Sequence, residues 1–151
     1  PMRIRFLSSF ALLLAMAGLA TDAHAQAREY INARSATDAA APPFSGAVLA
    51  GNTLYLSGTI GLEANQQVPA TAEAEARLVL DNVRNTLASA GMTMDDLVTV
   101  QVFCSDVAHY DTFNAVYRTY FEDEFPARAF LGAGTLLFNA RFEVQGIAVR
   151  R

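Results

Sequence analysis

Two periods of hydrophobic residues alternate along the chain, one of helical spacing and one of strand spacing. Ala76, Leu80, Val83, Leu87 and Ala90 recur at intervals of four, three, four and three, which makes one apolar stripe of a helix. Thr71 is placed to cap it, Glu73 and Glu75 put negative charge in its first turn, and Gly91 suits the C′ position that stops it. Arg77, Asp81 and Arg84 fall on another face, where they pair along the helix. Residues 97–104 then change to a period of two, with Val98, Val100, Val102 and Cys104 on one side and Leu97, Thr99, Gln101 and Phe103 on the other. A second amphipathic helix opens at Asp111, with Phe113, Val116, Tyr117, Tyr120 and Phe121 on its buried side. It ends in the acidic run Glu122 to Glu124, and Pro126 prevents its continuation.

Shorter signals complete the layout. The apolar runs Ala47 to Ala50 and Leu54 to Ser57 flank Gly51-Asn52 as a hairpin, with Gly58 and Gly61 framing the end of its second strand. Two more strands are predicted, around 128–131 and over 142–149, and Tyr30 and Ile31 suit a short edge strand ahead of a connector at 39–43. The predicted fold class is α+β, a mixed sheet covered on one face by two helices. The other face carries Phe103, Ile147 and Val149, so a partner is expected there, most simply a second copy of the chain.

Composition narrows the chemistry. With 151 residues, 52% of them hydrophobic, the chain supports one core and one domain. Arg3 and Arg5, the apolar stretch 6–20 and the small-x-small pattern Ala23-His24-Ala25 predict a signal peptide over 1–25, cleaved to leave Gln26. That stretch is shorter than the roughly 20 residues of a membrane span. The expected localisation is periplasmic or secreted, with no membrane association after cleavage. Residues 26–42 form an N-terminal edge segment and connector, and 43–151 the folded domain.

The mature chain then holds one histidine, His109, one cysteine, Cys104, and no lysine. Schiff-base chemistry, including attachment of pyridoxal phosphate, is excluded, and so is an intramolecular disulfide. A zinc site of nitrogen and sulfur ligands needs more than one residue of each kind. No metal and no cofactor are expected. The net charge of −4 with no basic run argues against a nucleic-acid partner. Cys104 alternates with buried valines and is assigned to the core.

The remaining chemistry belongs to arginine, carboxylate and hydroxyl groups. Arg128 opens an otherwise apolar strand after Phe125-Pro126-Ala127, a costly place for a guanidinium unless an anion meets it. Glu143 points to the face opposite Phe142 and Val144. From residue types alone two readings stand: a structural Arg/Glu pair within the sheet, or an anion clamp beside a carboxylate that orients water.

The segments Phe125-Pro126-Ala127-Arg128-Ala129-Phe130 and Phe142 to Arg151 resemble the C-terminal signature of the Rid family, the reactive intermediate deaminases also called the YjgF family. Leu56-Ser57-Gly58, Leu80-Asp81-Asn82-Val83 and Asn114-Ala115-Val116-Tyr117 are similar to further family blocks in the same order. The resemblance covers about 43–151 and implies a chorismate-mutase-like fold, a homotrimer and ligand sites in the clefts between subunits. It also implies hydrolysis of enamines and imines, such as 2-aminoacrylate, to 2-keto acids and ammonia. It assigns Arg128 to the substrate carboxylate, Glu143 to positioning or activating water, and Ser57, Phe44, Phe130 and Asn114 to the substrate-binding wall. Phe44 stands where tyrosine is common in the family and Phe130 where cysteine is frequent, which makes the expected pocket more apolar. The alternative reading is a non-catalytic module that binds a small carboxylate or an apolar ligand in the same cleft.

Overall fold

The computed structural model of the protein describes residues 27–151. The signal-peptide reading of 1–25 lies outside the described residues. Six strands, β1 (Arg28–Ile31), β2 (Ala47–Ala50), β3 (Thr53–Ile60), β4 (Leu97–Cys104), β5 (Ala127–Gly132) and β6 (Phe142–Val149), form one sheet in the order β1-β2-β3-β6-β4-β5. Two helices, α1 (Ala72–Ser89) and α2 (Tyr110–Tyr117), connect β3 to β4 and β4 to β5. Every strand pair is antiparallel except β4 with β5.

This order explains why both helices share a face. β3 and β4 each run antiparallel to β6 between them, so β3, β4 and β5 all point the same way. Both crossovers step in the same direction across the sheet, and crossovers of this type have one hand, so α1 and α2 land on the same side. The core between helices and sheet joins Leu80, Leu87 and Phe113 of the helices to Leu54, Val100, Val102, Phe142 and Val144 of the strands, each at most 2% exposed. The opposite face has no covering element among the described residues. Across it the register aligns Tyr30, Val48, Tyr55, Ile147 and Thr99 in one row, with Tyr55 50% exposed. No described helix is long and apolar enough to cross a membrane.

The caps of α1 follow the sequence. Thr71 Oγ1 accepts a hydrogen bond from the Ala74 amide at 3.2 Å, and Gly91 takes the left-handed conformation, φ 68°, just past the last turn. Arg84 pairs with Asp81 at 2.8 Å and Arg77 with Glu73 at 2.9 Å.

Three local expectations are corrected. Leu97 is buried and Val98 is 48% exposed, because the β4–β6 register shifts between Leu97 and Thr99 and one displaced residue reverses the parity before it. Gly58 lies inside β3, not at its end. The α-helical part of α2 begins at Tyr110, after a 3-10 turn at Val107–His109 capped by Asp106, whose Oδ1 accepts from the Ala108 amide at 2.9 Å. It passes into a second 3-10 turn at Arg118–Tyr120, so the helix stops before the acidic run and before Pro126. Glu75 lies in the first turn of α1 as expected, and it is also completely buried.

Candidate active site

Arg128 stands on the edge strand β5 in register with Val100, which turns its side chain toward the helix-covered face. Pro126 just before the strand has no amide to donate and is tolerated at such an edge. The guanidinium is half-buried. Its Nη2 donates to Asn114 Oδ1 on α2 at 2.6 Å, its carbon lies 4.6 Å from the Tyr117 ring centre, and Tyr110 and Phe130 stand at 5.9 and 5.8 Å. Among the described residues it forms no salt bridge, and only its Nη2 donates a hydrogen bond. A cavity of about 170 Å³ adjoins it, lined by Asn114, Tyr117, Arg118, Phe125 and Pro126. Rings on several sides lower the local dielectric, which strengthens attraction between this cation and an entering anion. Burial pushes the Tyr117 phenol up to about 12, against a smaller opposite pull from the Arg128 charge, so the ring stays neutral beside the cation.

Phe130, two residues along the same strand, packs edge-on against Tyr110 at 5.0 Å and against Phe113 at 5.7 Å. Arg128, Asn114 and Phe130 therefore form one group, with Tyr110 and Tyr117 as added walls. Sequence reasoning assigned Tyr117 to core or interface. Its place in the Asn114–Tyr117 block, one helical turn from Asn114, was the available signal.

Glu143 lies elsewhere. In register it sits between Ile60 of β3 and Phe103 of β4, with its side chain on the uncovered face. Along β3 the pairing steps from Leu56 opposite Gly146 to Thr59 opposite Val144, so Ser57 and Gly58 together oppose Gln145 as a bulge. The missing side chain of Gly58 makes the space that the Glu143 carboxylate fills, since a Cβ there would overlap Oε1. No described group donates a hydrogen bond to that carboxylate. Ser57 Oγ donates to the Ser45 carbonyl at 2.7 Å and its amide to the Gly46 carbonyl at 3.0 Å, which ties the bulge to the strand entrance. Phe44, 56% exposed, joins Ser57 and Gly58 on a cleft of about 450 Å³ that extends to Asn82 and Asn85 of α1.

The six expected site residues thus separate: Arg128, Asn114 and Phe130 form one group on the helix-covered face, Glu143 leaves from the other face beside Gly58, and Ser57 and Phe44 line a cleft that runs from the bulge to α1. A structural Arg128/Glu143 pair within the sheet is ruled out, because β4 separates their strands and their side chains leave on opposite sides. Cys104 is fully buried and burial pushes its thiol up, so it remains a core residue.

A six-stranded mixed sheet with two helices on one face, carrying an open guanidinium at one edge and a free carboxylate at a bulge, defines a small α+β protein equipped to hold an organic acid. The profile of the family described as Endoribonuclease L-PSP matches residues 34–150, and the chain belongs to that family, the Rid/YjgF family. It is 37% identical over 114 residues to the 2-iminobutanoate/2-iminopropanoate deaminase of Bos taurus, covering 74% of this chain and 83% of the relative. To the protein of the same name from Homo sapiens it is 34% identical over 110 residues, covering 72% and 80%. Among solved structures it resembles the YjgF gene product of E. coli, with TM-score 0.71, 34% identity, and 82% of this chain and 99% of that one covered. E. coli TdcF with bound serine gives TM-score 0.70 at 29% identity, covering 74% and 91%.

Proposed function

We propose that this protein is an enamine/imine deaminase that hydrolyses 2-aminoacrylate-type intermediates to 2-keto acids and ammonia, in sites completed between subunits of a homotrimer. The observation that carries the reading is the Arg128 guanidinium, half-buried among aromatic rings, with one nitrogen on Asn114 and no carboxylate partner among the described residues. Relatives named as 2-iminobutanoate/2-iminopropanoate deaminases cover most of the chain, and a relative with serine bound has an amino acid as its ligand.

The chemistry needs no group beyond these side chains. The two guanidinium nitrogens without a partner among the described residues grip a substrate carboxylate through parallel hydrogen bonds and fix the adjacent imine carbon. Glu143 takes a proton from a water as the water oxygen bonds to that carbon. The proton passes to the nitrogen, which gives a carbinolamine; its hydroxyl proton then moves to the nitrogen as the carbon–nitrogen bond breaks, so that ammonia leaves and the carbonyl forms. Imines hydrolyse in water already, so a few kcal/mol of positioning suffices, each ~1.4 kcal/mol giving about tenfold in rate.

Arg128 and Glu143 face opposite sides of one sheet, so in this reading the Arg128 group of one subunit meets the Glu143 group of the next. Contacts between two different patches are the kind that close into rings. Export belongs to the same proposal. Its support is the basic, apolar and small-x-small order of residues 3–25, and it predicts a secreted chain that begins at Gln26 when sequenced from its N-terminus.

Purified protein is expected to speed ammonia release from freshly generated 2-aminoacrylate, and Arg128→Ala to lower kcat/KM by at least ~100-fold, the scale of a lost buried charge-assisted contact. Equal rates for the two proteins refute the reading. Phe130, packed on Tyr110 beside the guanidinium, favours a second reading as a binding module. Calorimetric binding of 2-keto acids without turnover of any imine would select it.

A further inference from the structure

We propose that Glu75 and Arg141 form a latch that positions Glu143, which makes Glu75 a positioning residue for the deamination. The inference rests on the role given to Glu143 under Proposed function. Glu75 lies in the first turn of α1 and is 0% exposed. Its Oε1 accepts from two successive amides at the entrance of β6, Arg141 at 2.5 Å and Phe142 at 3.1 Å. Its Oε2 receives Arg141 Nη1 at 2.7 Å. The same guanidinium donates to the Pro69 carbonyl at 3.0 Å and the Ala70 carbonyl at 3.3 Å, in the segment that leads into α1.

A buried ion pair is a poor device for stability alone, because desolvation offsets most of its attraction. Here its geometry has a particular result. The two amides it fixes belong to the two residues directly before Glu143, and one of these, Phe142, is itself fully buried. The strand on the other side of the Glu143 carboxylate is tied to the same helix. Asn82 Nδ2 donates to the Ile60 carbonyl at 3.0 Å, and Gly61 lies so close that a Cβ would stand 2.7 Å from the Glu75 carbonyl oxygen and 2.9 Å from the Val79 amide. The end of β3 and the start of β6, the two walls of the notch at Gly58, are thereby held to one helix. The carboxylate inside the notch accepts no hydrogen bond from a described residue, so its position is set by that backbone.

The test is a double-mutant cycle between Glu75→Ala and Glu143→Gln, read as kcat and KM for imine hydrolysis. Glu75→Ala is expected to lower kcat by about 10- to 100-fold and to change KM by less than about threefold, since the Arg128 group is untouched. Glu75→Gln, which keeps an acceptor for both amides, is expected to recover kcat to within about threefold of the parent. In the Glu143→Gln background, Glu75→Ala is expected to change kcat by less than about twofold. If the two losses instead multiply, or if folded Glu75→Ala keeps the parent kcat, the latch has no positioning role. Should Glu75→Ala not fold by circular dichroism, the same cycle run with Arg141→Met decides by the same criteria. Parent-like kcat in Glu143→Gln refutes the role of Glu143, and the latch with it. That result differs from a slow Glu143→Gln with multiplying losses, which overturns the latch alone.

Discussion

Gly58 and Glu143 show how a single missing side chain makes room for a carboxylate. A Cβ at Gly58 would overlap Glu143 Oε1, the free end of a side chain and not a backbone atom, so the carboxylate can swing aside at little cost to the fold. We expect Gly58→Ala to lower kcat by about tenfold or more through the displaced carboxylate, with a stability change within about 1 kcal/mol, measured by steady-state kinetics and urea unfolding. An unchanged kcat would mean that the carboxylate has no required place in the notch. Arg128 and Glu143 were legible in the sequence because a charge inside an apolar strand must be explained, and because their surrounding segments carry a family pattern. Glu75 was not legible. Its partner Arg141 is 66 residues away, and an acid in a first turn has a sufficient local explanation in the helix dipole.

The elements were legible wherever one period ran unbroken, as the stripe of α1 and the later part of β4 illustrate. Periodicity failed at Leu97/Val98 because one extra residue reverses the alternation with no composition signal to mark it, while at the β3 bulge Gly58 was the signal, read instead as a strand end. The short turn that introduces β4 carries a pH-dependent device of its own. At Met94–Asp96 the Asp96 carboxylate accepts from the Thr93 amide at 2.7 Å and from Arg151 Nε at 3.0 Å, joining the turn to the C-terminal residue. Burial pushes this carboxyl up, yet the hydrogen bonds from Thr93 and Arg151 and the Arg151 charge outweigh it and hold the group below the ordinary aspartate range. A carboxyl depressed by folding stabilises the fold above its unfolded value, near pH 4, and loses that contribution as pH falls through the folded value. Asp96→Asn is therefore expected to cost about 1 kcal/mol at pH 7, with the gap from the parent closing below about pH 4 in thermal unfolding. A gap independent of pH would show that the charge contributes nothing.

At the scale of the molecule, the sheet face that no described element covers and the separation of Arg128 from Glu143 have one origin. Because β3, β4 and β5 are joined by two like crossovers, both helices cover one face. Arg128 is drawn to that covered side by α2, and Glu143 is left on the other. The class of sheet and the uncovered face followed from element order and from the apolar residues at 103, 147 and 149. The separation of Arg128 from Glu143 did not, since it depends on β6 inserting between β3 and β4, a long-range pairing that no local pattern encodes. If a working site takes Arg128 from one subunit and Glu143 from its neighbour, two inactive chains must complement each other. In trimers assembled at random from equal amounts of Arg128→Ala and Glu143→Gln, roughly one interface in four joins an intact Arg128 group to an intact Glu143 group. Co-refolding the two variants from denaturant is thus expected to restore about a quarter of the parent deaminase rate, while mixing them folded restores it only as fast as subunits exchange. A co-refolded mixture no faster than its two components would confine the chemistry to single chains. The opposite faces of Arg128 and Glu143 would then leave only one of them taking part.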